Sequence, residues 1–343
     1  MSATWISNVR INLIIILLIS VFVKLHSEES SLKRLPDIYK CSQESSKNLS
    51  VSVDFLAWLP SEEVASIWAD VISIGNNTST WEALGFNFKW DYGFRIGAGY
   101  GLQNNQWDMA LYWTWFHTDA KHEIPFKHNA SISPEFFAAF LSGDTPQSMS
   151  AKWSLLLNIL DWELGQNFWI SKMLLFRPFL GIKFGCINQS IHAQYYNLSI
   201  NKVLTNNSGS EFLKNNFWGI GPLIGINTKW MPKNFASIFF NFFGDFSIAT
   251  MWGTWVCSDV YKNTAFKTSS VNMKNSTLGA LMFRGFMGIE WNVNFTGKPH
   301  FSAKLGYEMQ LWLNQLRLAT FQLQRLHADL SLQGVTVNCQ FDF

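Results

Sequence analysis

The sequence has few charged residues: Asp, Glu, Lys and Arg make up 15% of its 343 positions, whereas 48% are hydrophobic. Soluble domains average about 25% charged residues, so this composition is unusual for a surface that faces water. Long apolar runs are absent after residue 23, although a membrane-spanning helix needs about 20 such residues. A transmembrane β-barrel accounts for both absences, because alternation dilutes its hydrophobic residues. With 17 Trp and 30 Phe, a soluble β-rich lectin or hydrolase is the alternative.

Cysteine is also scarce. Cys41, Cys186, Cys257 and Cys339 show neither CxxC nor His–Cys ligand spacing, which argues against a metal site, and we expect no cofactor. In an exported chain these thiols can form disulfides within the chain, bridge to neighbours, or stay reduced. The net charge is only +2 and no Lys/Arg run is interleaved with aromatic residues, which argues against nucleic acid as a partner.

The stretch from Trp90 to Thr118 alternates in hydrophobicity on both sides of one polar turn. Even positions from Trp90 to Leu102 are apolar or aromatic, and the odd positions between them are polar or Gly; beyond residues 103–106 the alternation resumes at Trp107. This pattern is typical of β-strands and predicts a hairpin. Each strand has about a dozen residues, close to the 9–11 or so with which a tilted strand crosses a bilayer. Trp and Tyr near the strand ends match an interfacial aromatic belt.

The same alternation along the chain predicts an all-β fold, a transmembrane antiparallel β-barrel of about 10 strands (8–12). Short periplasmic turns near residues 103, 165, 231 and 296 alternate with long outer loops at 60–84, 119–150, 197–215, 251–278 and 314–328. The strands are expected at residues 49–59, 90–102, 107–115, 153–164, 178–196, 218–230, 235–250, 281–295, 301–311 and 335–343.

The N-terminal segment has a different pattern. Residues 1–27 place Arg10 before an apolar core of about 13 residues, which predicts a secretory signal peptide rather than a membrane span. Residues 28–47 are polar and unpatterned, as in a periplasmic lead-in, and 48–343 form the barrel. We therefore expect the protein in the cell outer membrane, in contact with its lipid.

Three segments between the predicted strands are harder to assign. Residues 64–74 fit either a short amphipathic helix or a strand and are assigned to a loop. Ser133, Pro134 and the trailing Gly143 predict a short helix, which either narrows the mouth of the barrel or lies on its rim. Residues 168–176 are unclassified; they or residues 64–75 supply further strands if the barrel has twelve.

The polar face of each predicted strand points into the lumen, where charged side chains can form an electrostatic constriction. The alternative is that these charges pair across a narrow barrel and fill it. The lumen candidates are Asp91, Arg95, Asp108, Lys183, Lys229, Arg284, Glu290, Lys304 and Glu308.

The last predicted strand alternates up to a terminal Phe, the pattern that bacterial outer-membrane assembly machinery recognises. We expect it to be the assembly signal and that machinery to be a partner. Its apolar face carries Val335, Val337, Phe341 and Phe343, together with Cys339.

Several blocks of the sequence resemble one family, the Legionella-type major outer membrane proteins, a pore-forming group also found in chlamydia-related bacteria. The resemblance implies a β-barrel porin, abundant at the surface and disulfide-linked to neighbours, and no catalytic residues. A homo-oligomer is the other arrangement that we consider for its partners. It assigns no particular solute. The similar blocks are FLAW at 55–58, WDYGFRIGAGY at 90–100, QWD at 106–108, YWTWF at 112–116, RPFLG at 177–181 and GIGP at 219–222.

Passive diffusion of small hydrophilic solutes through the lumen is the leading hypothesis for function. The alternative is a structural or adhesive surface barrel with a filled lumen, in which the outer loops carry the activity. A membrane-embedded hydrolase is a third class, since His117 and His122 lie near Thr114 and Thr118, but no Ser is spaced to complete a nucleophile–base pair. The sequence therefore predicts no enzyme.

Overall fold

The structure, a computed structural model, describes residues 49–62, 68–74, 79–102, 107–126, 130–134, 146–200, 203–204, 207–232, 240–264, 268–294, 300–319 and 325–343. The predicted signal peptide and lead-in, Cys41, and the predicted helix beyond Pro134 lie outside these residues. No helix in the described ranges is long and apolar enough to cross a membrane.

The secondary structure is almost entirely β. In chain order the strands are β1 (Leu49–Glu62), β2 (Ala69–Ile74), β3 (Ser79–Leu84), β4 (Asp91–Gly101), β5 (Trp107–Ile124), β6 (Ala130–Pro134), β7 (Ser148–Gln166), β8 (Phe168–Ser171), β9 (Leu174–Tyr196), β10 (Ser199–Ile200), β11 (Val203–Leu204), β12 (Gly209–Trp230), β13 (Phe240–Asn263), β14 (Thr268–Asn294), β15 (His300–Ala319) and β16 (Arg325–Asp342).

Ten of these strands close into an antiparallel barrel, as predicted. Its strands follow the order β1, β4, β5, β7, β9, β12, β13, β14, β15 and β16, and β16 pairs back onto β1. Asp54 of β1 therefore lies opposite Arg95 on one side and Asn338 on the other. Closure leaves no unpaired sheet edge, which is the condition for a sheet to sit in lipid.

The outward face of the barrel carries exposed apolar side chains, as a lipid-facing belt requires. Ile96 is 43% exposed and Ile289 is 39% exposed, and each alternates with inward neighbours along its strand. Exposed Trp residues lie towards both ends of the belt, Trp230 near a short turn and Trp218 twelve positions before it. Trp rings prefer the two membrane interfaces, so this spacing marks the belt's width.

The barrel strands continue past the lipid-facing belt, and there the alternation inverts. On β12 the inward Leu213 and Phe217 are each 1% exposed, whereas Lys214 and Asn216 point outward into solvent. Water replaces lipid on the outside at this level, so polar residues face out and apolar residues fill the inside. We call this part the outer extension; it comprises residues 117–124, 148–155, 187–196, 209–217 and 255–263.

The long outer connections that were predicted are present, but several of them consist largely of strand. β13 reaches Asn263 and β14 begins at Thr268, inside the segment 251–278 that was predicted to be a loop. Strand residues likewise occupy most of 197–215 and 314–328. The prediction was wrong on this point because it relied on strands whose outward residues are apolar. That pattern ends where the strand leaves the lipid.

A small second sheet accounts for residues 64–74, whose assignment to a loop is wrong for β2. β2 is the central strand between β3, which follows it directly, and β6, which lies more than 50 residues further along the chain. Residues that flank this sheet pack against inward-facing side chains of the outer extension: Trp68 Nε1 donates to His122 Nδ1 at 3.2 Å, and the Phe88 and Trp153 rings meet at 5.2 Å. In the unclassified segment 168–176, the short β8 pairs with the start of β9.

Candidate functional site in the barrel lumen

The inward-facing side chains form two groups along the barrel axis. On β1 the inward positions are polar from Ser50 to Asp54 and become apolar at Leu56 and Trp58. Because sheet pairing holds neighbouring strands in register, the other strands show the same change, with polar side chains towards the short turns and apolar side chains towards the outer end.

The polar group surrounds a cavity of about 470 Å³, which we call the vestibule. It reaches from Tyr100 and Asp108, beside the short turn near residue 103, to Arg95 and Arg284 deep in the lumen. Short turns lie on the periplasmic side of outer-membrane barrels, so the vestibule faces the periplasm. Its charged lining residues are Asp54, Arg95, Asp108, Asp161, Glu163, Arg177, Lys229, Asp245, Arg284, Glu290, Lys304 and Asp342.

A buried ion cluster lies at the deep end of the vestibule, around Glu308. This carboxylate is 0% exposed. It accepts hydrogen bonds from Arg95 Nη2 at 2.7 Å and from Arg284 Nε at 2.7 Å. Arg95 also donates to Asp54 Oδ2 at 2.8 Å and to Thr114 Oγ1 at 3.0 Å, so its guanidinium is held on several sides. Charge-assisted contacts of this kind offset the cost of burying the ions.

A second cluster lies nearer the periplasmic end, around Arg177. Its Nε donates to Asp108 Oδ1 at 2.9 Å, and its Nη1 donates to Glu163 Oε2 at 3.2 Å and to Asn227 Oδ1 at 2.5 Å. These partners come from β5, β7 and β12. The cluster therefore ties together strands around the lumen rather than presenting a free cation to it.

The predicted lumen candidates all lie on inward faces, and most of them are paired. Lys183 Nζ lies 2.6 Å from Asp161 Oδ1, and Lys229 Nζ lies 2.9 Å from Glu290 Oε2. Asp91 lies further out and accepts a hydrogen bond from Thr118 Oγ1 at 2.5 Å. Lys304 forms no hydrogen bond or ion pair with any residue in the described ranges, and its Nζ lies 5.2 Å from the centroid of the Phe243 ring.

Sequence reasoning missed several members of this site. Asp54 and Arg177 occupy the inward positions of their strands, as do the acidic residues that line the vestibule from β7 and β13. Strand alternation could have identified each of them. Arg177, for example, lies an even number of positions before Lys183 on β9 and therefore faces the same side of the strand. Their pairing could not have been identified, because it depends on which strands face one another across the lumen.

The apolar group forms a plug that fills the lumen beyond the ion clusters. Trp58, Trp153, Trp255 and Trp312 point inward from four strands and are each 0% exposed. The plug begins directly on the ion cluster: Arg95 Cζ lies 5.9 Å from the Trp58 ring centroid, and Trp58 Nε1 donates to Thr336 Oγ1 at 3.2 Å. The inward residues Phe116, Leu155, Leu157, Ile187, Met251, Leu330 and Leu332 complete it, and all are 0% exposed.

The burial of these side chains closes the lumen in the described part of the chain. A water-filled channel would leave the inward side chains along its length accessible to water, whereas these are not. The interior of a barrel of about eight strands is just wide enough for side chains to fill, and in this ten-stranded barrel large rings such as Trp58 and Trp312 fill it. The vestibule therefore ends at the plug.

Comparison with known proteins identifies the family. A family model described as the Legionella pneumophila major outer membrane protein precursor matches residues 42–343. The chain belongs to this family. The assignment confirms the resemblance noted in the sequence and the location in the outer membrane.

Two solved structures that resemble this major outer membrane protein family member share little sequence identity with it. The outer-membrane protease OmpT from Escherichia coli has a TM-score of 0.42 and 8% identity, covering 87% of this chain and 98% of that one. A major outer membrane protein from Thermus thermophilus has a TM-score of 0.34 and 8% identity, covering 86% and 99%. No curated protein matches the chain.

The histidines that suggested a hydrolase do not converge in this family member. His117 faces outward, its ring stacked on Trp115, and His122 faces inward against Trp68. Cys186, Cys257 and Cys339 are free thiols. Among the described residues, no group of three or more His, Cys, Asp or Glu side chains is placed to hold a metal ion.

The outer extension contains one buried acidic pair, Glu211 and Asp259, on the inward faces of β12 and β13. They are 0% and 1% exposed, and Tyr195 donates its hydroxyl to Glu211 Oε2 at 2.5 Å. Burial and the neighbouring Asp259 carboxylate raise the pKa of Glu211 well above its usual value. Burial also raises the pKa of Asp259 to about 7. The pair is therefore easier to protonate than ordinary carboxylates.

Proposed function

We propose that this protein is a structural surface barrel of the outer membrane, whose lumen is closed to diffusion. The observation that carries the proposal is the plug, in which Trp58, Trp153, Trp255 and Trp312 are each 0% exposed. Opening a solute path would require several of these side chains to leave a packed environment. Truncation of one core Trp to Ala typically costs about 3–5 kcal/mol. A ring that leaves the plug loses the same packing contacts, so spontaneous opening would be rare. The outer extension is then the part that meets the cell's surroundings.

A gated pore is the second candidate, and the vestibule favours it. A barrel that serves only as a scaffold does not need a polar cavity of about 470 Å³ in its lumen. In this case the vestibule would be the periplasmic half of a pathway, and rearrangement of the plug would connect it to the outside. We propose no catalytic role, because His117 and His122 face opposite sides of β5.

Solute flux into liposomes separates the two candidates. The full-length mature protein is reconstituted into liposomes, and swelling in isotonic L-arabinose is compared with that of protein-free liposomes. The closed barrel predicts identical rates, whereas swelling above the protein-free rate would overturn that proposal and support the pore. A variant with Trp58→Gly and Trp312→Gly serves as the positive control, because it removes two inward rings from the plug.

A further inference from the structure

Two charged residues of the vestibule have no direct partner within the described part of the chain. The Arg95, Arg177 and Lys229 charges are each paired with a carboxylate within the lumen. Asp245 and Lys304 also line the cavity, yet neither forms a hydrogen bond or an ion pair with the residues that the structure describes. Asp245 is nevertheless only 8% exposed. Its carboxylate opens on the vestibule, so a ligand there could supply the partner that a carboxylate with so little exposure normally has.

The two unpaired charges are arranged around an aromatic wall. The rings of Phe243 and Phe286 pack edge to face with their centroids 4.7 Å apart. Lys304 Nζ lies 5.2 Å from the first ring, and Arg284 Cζ lies 5.8 Å from the second. Asp245 is the next inward residue after Phe243 on β13 and lies opposite Phe286 in register.

Arg284 adds donors to the same wall. Its Nε donates to Glu308, and no hydrogen bond from its two terminal nitrogens to a described residue is seen. The wall therefore offers the Lys304 ammonium and part of the Arg284 guanidinium to an anionic group of a ligand. The Asp245 carboxylate is available to a cationic group, and the two phenyl rings to an apolar group. A simple anion would meet the Asp245 carboxylate unfavourably, and a simple cation would meet Lys304 and Arg284 unfavourably.

We propose that the vestibule is a binding site for small zwitterions of the free amino acid class, which enter from the periplasmic side. The ligand carboxylate would contact Lys304 and Arg284, its ammonium would contact Asp245, and its side chain would pack on Phe243 and Phe286. A volume of about 470 Å³ falls within the range of small-molecule sites, roughly 300–1,000 Å³. The site does not depend on whether the lumen conducts, because the vestibule exists below the plug.

Three related probes test the proposal on the full-length mature protein in detergent micelles. L-phenylalanine carries both charges, 3-phenylpropionate lacks the ammonium, and 2-phenylethylamine lacks the carboxylate. Isothermal titration calorimetry should show L-phenylalanine binding about tenfold more tightly than either analogue, since a hydrogen bond to a charged group contributes that much or more. Equal binding of L-phenylalanine and 3-phenylpropionate, or no binding of any probe, would overturn the proposal.

Single-residue variants locate the effect. Asp245→Asn should remove the preference for L-phenylalanine over 3-phenylpropionate while leaving 3-phenylpropionate binding intact or stronger. Lys304→Gln should remove the preference over 2-phenylethylamine. Lys214→Gln, on the exposed face of the outer extension, is the matched control and should change neither. Unchanged preferences in the first two variants would also contradict the proposal, and the wild-type series stands without them if a variant fails to fold.

Discussion

Arg95 Nη2 donates a 2.7 Å hydrogen bond to Glu308 Oε1, although 213 positions separate the two residues in the sequence. β1 and β16 lie between their strands in the barrel wall, so the pair spans the lumen face of four strands. Glu308 also accepts from Arg284 and from Thr336. This carboxylate binds two of the arginines that the sequence suggested for a constriction. Their charges are therefore used in ion pairs within the barrel and do not face an open channel.

The first prediction concerns these two arginines. Arg95→Ala combined with Arg284→Ala leaves Glu308 buried without a cation, which should destabilise the barrel by roughly 3–5 kcal/mol. Urea unfolding in detergent, followed by the heat-modifiable shift on electrophoresis, measures the loss. Adding Glu308→Gln to the double variant should restore part of the stability, since the Glu308 charge is then removed and Asp54 is the carboxylate left without its arginine. Normal stability in the double variant with altered ion selectivity would indicate a conducting constriction instead.

The second prediction concerns the two faces of the barrel. Ile289→Lys places an ammonium against lipid and should cost about 2–4 kcal/mol if it lies near mid-depth. Asn292→Lys, on the inward face of the same strand, should cost less because it points towards the vestibule end of the lumen. Equilibrium unfolding in lipid vesicles compares them, and equal costs would show that the faces are misassigned. Gly97→Lys is a poor control, because a Cβ at Gly97 would clash with Ser52 Oγ.

The third prediction concerns pH and the Glu211–Asp259 pair. Both carboxyls have raised pKa values in the folded state, so the folded state binds protons more tightly than the unfolded state does. The stability of the outer extension should therefore be greatest at acidic pH and fall as the pH rises from the usual carboxyl range, near 4, to about 7 and above.

Hydrogen exchange of the amides in residues 209–217 tests this dependence. After correction for intrinsic rates, protection should fall by about tenfold or more between about pH 5 and pH 8. Glu211→Gln should weaken the dependence by removing one of the two charges, whereas Lys262→Gln, which is exposed on β13, should not. Protection that rises over the same interval would show that the pair is stabilising as carboxylates.

The fourth prediction concerns the terminal strand. β16 pairs with β15 on one side and β1 on the other, so it closes the barrel. Val335, Val337, Phe341 and Phe343 point outward and are 37–59% exposed, the lipid-facing positions that we propose the assembly machinery recognises. Deletion of residues 335–343 should leave the protein periplasmic and protease-sensitive, as shown by fractionation and trypsin treatment. A heat-modifiable barrel in the outer membrane after that deletion would argue against this role.

Much of the barrel was predictable because alternation is a local property. Apolar and polar positions alternate strictly in stretches such as those around Ile96 and Ile289. This alternation identified ten strands and assigned all nine lumen candidates to the inward side. The outer extension was missed because its alternation is inverted, as at Leu213 and Lys214. β2 was missed because its residues fit a helix as well as a strand, and one of its two partners, β6, is distant in sequence.

The state of the lumen was not predictable from the sequence. Whether Arg95 and Arg284 project into water or are held by Glu308 depends on the register of strands that meet only when the barrel closes. The plug has the same origin: Trp58 and Trp312 lie on strands far apart in the chain, and sequence gives no distance between them. The unpaired Asp245 and Lys304 became evident only once the other charges of the vestibule had been matched to their partners.

Single-channel recording in planar bilayers tests the closed lumen most directly. The wild-type protein should give no conductance above the lipid baseline, whereas Trp58→Gly with Trp312→Gly should give discrete steps, because two plug rings are removed. Trp113→Gly with Trp162→Gly is the matched control: these rings are exposed on the lipid face, at 42% and 39%, and the variant should stay silent. Steady conductance steps from the wild-type protein would contradict the account.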